Sequence, residues 1–558
     1  MKKYRLLWFI IIAAATVRLV YFLQVRDNFL FQNPVIDAKY YHEWAVEMAN
    51  GDWLSAARPG VYMMSPGYSF YLAAVYAMFG ANVTVAVGSQ FLLGIATGFL
   101  VFLLARRYFS APAGYTAAAL YLFSAPALFY EGVPLKVSLI NFLNMAALFA
   151  AGGAGLAWQF AAGALLGFSA HLRPNVLALA PLFLAVFWKA GGGKWLRMAV
   201  FALGCSIVLL PVAFRNLHYG GEFVLTTAHG GMNFFTGNSP YCLGPYTPMP
   251  FARTDPEVEQ ADFMEEASRR SKKLLTPRES SAFWYGESLR YIRQKPFDWL
   301  KLQWRKTLIF FNDYEPPINL DFYFFSREYN SVLSYLPVRY GLILPLAAAG
   351  VAMSPFQLLL GGYIVIYFLV TIVFFVVSEY RFPVVPVLCI FAGQALVVMF
   401  ANRKNVWRLA AGGAIAAVFF VVSNYDIYAK TFNFPSYRRA NLANSYFGLG
   451  VTYESKKMTD EAVRAYENAV KIMPQAAPLI NLANIYESKG DLDRAQLLIE
   501  QALRLQPASG EALNNLGAIL SKKRRYAEAA ACFERALILN PGFKQAGDNL
   551  AIVRKLMK

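Results

Sequence analysis

The chain has 558 residues, of which 57% are hydrophobic, 16% aromatic and 15% charged, with a formal net charge of +18. A soluble domain usually carries about 25% charged residues, so the composition excludes an ordinary soluble protein. The basic excess fits membrane topology and anionic lipid. No basic run stands in a nucleic-acid motif, so no nucleic-acid partner is expected.

In chain order, Met1-Lys2-Lys3-Tyr4-Arg5 precedes an apolar run to Val25 that is interrupted by Arg18. A cleaved signal peptide ending near Ala13-Ala14-Ala15 is the alternative reading, but the apolar character continues to Leu23. Later apolar runs fall near 83–105, 112–130, 133–151, 156–172, 175–190, 196–213, 338–353, 355–377, 384–400 and 406–423, giving about eleven expected spans. If the N-terminus is inside, the inside loops hold Arg106-Arg107, Gly152-Gly153, Lys189 to Arg197, Met353-Ser354, and Arg403-Lys404 with Arg408. That pattern obeys the positive-inside rule. An odd span count places the tail outside, in a bacterial periplasm or an organellar lumen; a bacterial inner membrane is the expected location.

Two outside segments are long, 26–82 and 214–337. Trp44, Trp53, Trp284, Tyr285, Trp299 and Trp304 stand among their charges. Aromatic residues with one wet end settle at the interface, so these segments are expected to be helices roofing a cavity on the outer face. The cysteines, Cys205, Cys242, Cys389 and Cys532, suggest neither a disulfide framework nor a metal cluster.

After Asn424 the composition becomes that of a soluble helical domain. Leu449-Gly450-x-x-Tyr453 aligns with Leu482-Ala483-x-x-Tyr486 and Leu516-Gly517-x-x-Leu520. Small residues follow at matching offsets (Ala462/Ala469, Ala495/Ala502, Ala529/Ala536), with Tyr466, Ile499 and Phe533 between them and Pro474, Pro507 and Pro541 closing the units. The pattern resembles the tetratricopeptide repeat, a helix–turn–helix unit. Residues 440–558 are thus expected to be three repeats and a capping helix from Lys544, an α-solenoid that holds a protein partner. The bland alternative is dimerisation or stiffening.

Ionisable residues gather at one expected depth. Asp37 lies about a dozen residues after the first span, near enough to the membrane face to serve as general base on a hydroxyl. Glu131, Lys136, Arg173 in His171-Leu172-Arg173-Pro174, and Glu379 and Arg381 in Ser378-Glu379-Tyr380-Arg381 fall at outer span ends. Any one could simply snorkel or cap. As a set of acids and bases beneath two roofing segments they suit a lipid phosphate, which arginine grips by forked hydrogen bonds. Ser65-Pro66-Gly67 opens a further apolar helix too short to span.

Together Asp37, Ser65-Pro66-Gly67, Arg173-Pro174 and the Ser-x-Tyr-Arg-x-Pro-x-x-Pro run from Ser378 to Pro386 resemble the GT-C-fold glycosyltransferases that use polyprenyl-phosphate sugars, such as protein O-mannosyltransferases and the aminoarabinose transferase of lipid A. The resemblance covers roughly residues 1–425 and implies an all-α, polytopic helical bundle. With the repeats, the layout resembles the transmembrane O-mannosyltransferases that carry tetratricopeptide repeats. The resemblance implies transfer of a sugar from a polyprenyl-phosphate donor to an acceptor hydroxyl on the periplasmic or lumenal side, with a protein acceptor favoured by the repeats. It implies Asp37 as base, Glu131 as a second acid, Arg173, Arg381 and Lys136 at the donor phosphate, and Tyr41, His42, His171, Glu379 and Tyr380 around the pocket. This chain departs from the O-mannosyltransferase pattern, since Ala38 follows Asp37 where a Glu is usual. No cofactor is firmly implied; a divalent cation is left open, and ligation by Asp37 and His42 is a weak pattern. The rivals are transfer to a glycolipid or envelope glycan, and a transporter or assembly scaffold without chemistry.

Overall fold

The computed structural model describes residues 4–189, 192–253, 255–329, 331–401 and 406–558. Lys2, Lys3, Arg403 and Lys404 of the expected inside loops lie outside the described residues, as does the side chain of Arg408. The architecture is all-helical. Among the described residues the one β feature is an isolated bridge between Ser124 and Val338. The chain divides into two compact units, Met1–Ile427 and Tyr428–Lys558.

Among the described residues of the first unit, four helices are long and apolar enough to cross a membrane: Arg5–Val25, Val83–Tyr108, Lys194–Gly220 and Ser378–Ala401. Shorter apolar helices include Gly67–Phe79, Val137–Ala151, Leu156–Leu172, Pro174–Lys189, Tyr340–Met353, Leu358–Val373 and Leu409–Asn424. The expected 112–130 span is two helices, Ala111–Leu122 and Ala125–Glu131. Pro126 forbids an unbroken ladder there, and the Ala125 amide donates instead to the Val338 carbonyl at 2.9 Å.

Outside the spans, the first segment forms helices Asp37–Ala49 and Gly67–Phe79 with a loop between them. Arg215, on the end of Lys194–Gly220, pins that loop. It donates to the carbonyls of Leu54 (3.0 Å), Ser55 (2.8 Å), Arg58 (2.6 Å) and Gly60. The second segment has a small core of its own, with buried Trp284 packed among Phe235, Met249 and Phe263. Trp284 is therefore a core residue, whereas Trp304 is 63% exposed. Burial of such an aromatic is worth about 1.5–3 kcal/mol, which lets the segment hold a shape that loop sequence alone would not.

The second unit is a stack of helical hairpins: Tyr437–Ser455 with Thr459–Ile472, Ala476–Ser488 with Leu492–Leu505, and Gly510–Lys522 with Tyr526–Leu539, closed by Lys544–Leu556. Small residues sit where helices meet. A Cβ on Gly450 would come 2.4 Å from the Tyr466 ring, and one on Gly517 2.6 Å from the Phe533 ring. The turn between paired helices passes through the left-handed region at Lys457, Gly490 and Arg524 (φ 60°, 83° and 61°), one per hairpin. The sequence period is thus repeated in the backbone.

Candidate active site

Asp37 is the first residue of its helix, where the N-terminal end of the helix dipole favours a carboxylate. The residue before it, Ile36, holds φ at 53°. A branched residue in that region stores about 1–3 kcal/mol of strain, and here it sets the direction from which Asp37 leaves the backbone. Asp37 is half-buried. Its Oδ2 accepts from Asn319 Nδ2 at 3.2 Å, and the same amide nitrogen donates to Glu379 Oε2 at 3.1 Å. One amide with two hydrogens therefore holds two carboxylates side by side.

Glu379 is in turn clamped by Arg173, whose Nη2 donates to Oε1 at 2.9 Å and whose Nη1 donates to the Glu379 carbonyl at 3.1 Å. The Arg173 guanidinium lies 4.1 Å from the centroid of the Tyr380 ring. Its Nε is buried without a hydrogen-bond partner, so the arginine keeps one donor in reserve. Lys136 Nζ donates to Tyr41 Oη at 2.9 Å, one helical turn beyond Asp37. Lys136, Arg173 and Glu379 are all buried. Burial pushes the Asp37 carboxyl up; Lys136, opposed by Glu379, pulls it back. The structure brings Asp37, Tyr41, Lys136, Arg173, Glu379 and Tyr380 together.

It places the other expected residues elsewhere. Glu131 pairs with Arg18 of the first helix, at 2.7 Å to Nε and 2.8 Å to Nη2, in a niche that exists because residue 94 is glycine: a Cβ there would lie 2.1 Å from the Glu131 carboxyl carbon. Arg381 pairs with Glu315 at 2.8 Å and donates to the carbonyls of Ile309 (3.3 Å), Phe310 (3.2 Å), Tyr314 (3.2 Å) and Asn312. His42 meets Tyr76 Oη through Nδ1 at 2.8 Å, and burial lowers its pKa. His171 Nε2 meets the Val208 carbonyl at 2.9 Å, while its own backbone packs against Gly67.

Sequence reasoning missed Asn319. The signal was there in Glu315-Pro316-Pro317-Ile318-Asn319, a stiff run inside a long outside segment. Arg381 grips Glu315, and Ser378 donates from its backbone to the Pro316 carbonyl at 2.9 Å. Those anchors carry Asn319 to Asp37. A divalent cation would find Asp37 and Glu379 as neighbouring carboxylates. Among the described residues, however, no three His, Cys, Asp or Glu side chains gather as a ligand set.

The tetratricopeptide-repeat family matches residues 443–475 and 480–542. Photosystem I assembly protein Ycf3 of Synechococcus sp. (strain WH7803) is 31% identical over 126 residues, 19% of this chain and 73% of that protein. The tail belongs to the tetratricopeptide-repeat family. Human protein O-mannosyl-transferase TMTC1 is 28% identical over 152 residues, 26% of this chain. The chain spans 17% of that relative's length. Among solved structures, ArnT from Cupriavidus metallidurans bound to undecaprenyl phosphate aligns over 94% of this chain and 79% of its own, at 17% identity and a TM-score of 0.40. The Archaeoglobus fulgidus oligosaccharyltransferase aligns over 77% and 55%, at 13% identity and a TM-score of 0.42.

Proposed function

We propose that this chain is an integral-membrane glycosyltransferase that moves a sugar from a polyprenyl-phosphate donor to an acceptor hydroxyl on the outer face of a membrane. The observation that carries the reading is the Asp37–Asn319–Glu379–Arg173 chain with Lys136 beside it: a candidate base and two buried cations at the ends of apolar helices. In the proposed reaction the acceptor oxygen bonds to the anomeric carbon as the bond from that carbon to the phosphate oxygen breaks. The hydroxyl proton goes to Asp37, and the electron pair leaves with the polyprenyl phosphate. Lys136 and Arg173 face the charge that builds on the leaving phosphate; Arg173 can offer its free Nε while Glu379 keeps its orientation. Arg381, Glu131, His42 and His171 act in this reading through packing, since each is already held by another group. The O-mannosyl-transferase relative supports a protein acceptor, and the repeat tail supports protein contact.

Two measurements test the parts. Arg173→Ala and Lys136→Ala should each weaken undecaprenyl phosphate binding by about tenfold or more, since a charged hydrogen bond to phosphate is worth about 1.5–3 kcal/mol. Unchanged binding by titration in detergent would remove these residues from the phosphate site. A reporter fused after Lys558 that is active only in the cytoplasm should stay silent, as the basic inside loops require. Activity from it would invert the topology and move the site to the wrong face.

A further inference from the structure

In the helix Pro256–Ser271 two acids pair with arginine. Asp262 meets Arg253 at 2.6 Å, and Glu266 meets Arg269 at 2.7 Å and Arg270 at 2.8 Å. Glu259 differs. It is half-buried, and among the described residues no cation pairs with it. Its carboxylate accepts from Tyr246 Oη at 2.8 Å. The Tyr246 ring meets Phe375 edge-on with centroids 5.4 Å apart, Phe375 stacks on Tyr380 at 5.2 Å, and Tyr380 carries the Arg173 guanidinium. The Glu259 helix also packs against the Asp37 helix. Burial and the Asp37 charge both push the Glu259 carboxyl up, which places the two acids within electrostatic reach of one another.

The site therefore has two sides. Lys136 and Arg173 come from the ends of apolar helices, where a lipid phosphate sits. Glu259 and Tyr246 come from the long outside segment, which faces water. In the transferase reading the attacking hydroxyl lies opposite the departing phosphate, and the acceptor then arrives from the side of the outside segment that carries Glu259. A half-buried carboxylate without a cation is stabilised by a substrate that brings one.

We infer that Glu259, oriented by Tyr246, selects an acceptor polypeptide that carries lysine or arginine next to its hydroxyl residue. This rests on the transferase reading above and names the acceptor class for that same site.

The test uses the full-length protein, lipid-linked sugars extracted from the source membranes, and two synthetic peptide pools with Ser and Thr flanked by Lys in one and by Glu in the other. The wild type should prefer the Lys pool by about fivefold, the worth of one partly screened ion pair. Glu259→Gln should level the two pools and Glu259→Lys should reverse them. Tyr246→Phe, which keeps the charge but frees the carboxylate, should blunt the preference without reversing it. Undecaprenyl phosphate binding reports whether each variant is folded. Equal use of both pools by the wild type, or an unchanged preference in Glu259→Lys or Tyr246→Phe that still binds undecaprenyl phosphate, overturns the inference and leaves the transferase reading standing. Transfer to neither pool overturns the inference together with a protein acceptor, and Asp37→Asn then judges the donor chemistry separately.

Discussion

Asp37→Asn should cut sugar transfer by about 10²–10⁴-fold, the usual contribution of a general base, with undecaprenyl phosphate binding nearly unchanged. The substitution preserves size, and Asn319 retains an oxygen to donate to. What it removes is the proton acceptor. The competing explanation is a helix-terminal role. Asp37 occupies the first turn of its helix, where a negative charge is worth about 0.3–1 kcal/mol, far less than the barrier change expected from losing the base. Near-normal turnover in Asp37→Asn would show that the helix-terminal role is the whole story. The pH dependence follows with a definite sign. A base must be deprotonated to act, and burial pushes Asp37 up. Transfer should therefore rise with pH through a value above the ordinary carboxylate range of about 4, and that limb should vanish in Asp37→Asn.

The second large effect is on folding. Glu131→Ala leaves Arg18, 2% exposed, without its counter-charge, retaining carbonyl contacts to Leu122 at 2.9 Å and Ala14 at 3.3 Å. Removing one member of a buried ion pair typically costs about 3–5 kcal/mol. The expected result is a markedly lower unfolding temperature in detergent, with transfer per folded molecule unchanged. Replacing both partners by apolar residues, as in Arg18→Met with Glu131→Leu, should recover most of the loss, because neither charge is then stranded. If Glu131 were instead the second acid of the reaction, Glu131→Gln would abolish turnover at wild-type stability.

The repeat tail was legible because its determinants are local and periodic. Gly450 and Gly517 are small because one aromatic ring fills the space beside each, and the same offsets recur every 33 to 34 residues. The apolar runs were legible for a similar reason, although Pro126 broke one of them into two helices. The site was legible only in part. Asp37, Lys136, Arg173 and Glu379 carry charge at span ends, which sequence reveals. Whether two such charges meet depends on helix packing across long separations, which it does not. Glu131 and Arg381 look the same as Glu379 and Arg173 along the chain, yet each has a different buried partner, Arg18 and Glu315. For Asn319 the sequence offered only the stiff Glu315-Pro316-Pro317 run before it, because in the segment 214–337 neither hydropathy nor spacing fixes a position relative to Asp37.

In the proposed function the Asp37 cluster receives a polyprenyl phosphate. A photoreactive undecaprenyl phosphate, crosslinked to the full-length protein and mapped by mass spectrometry, tests it most directly. Labelling is expected in the stretches around Lys136, Arg173 and Tyr380, competed by unlabelled undecaprenyl phosphate and lost in Arg173→Ala. Specific, competable labelling that instead centres on Arg18 and Glu131, or that survives Arg173→Ala undiminished, would contradict it.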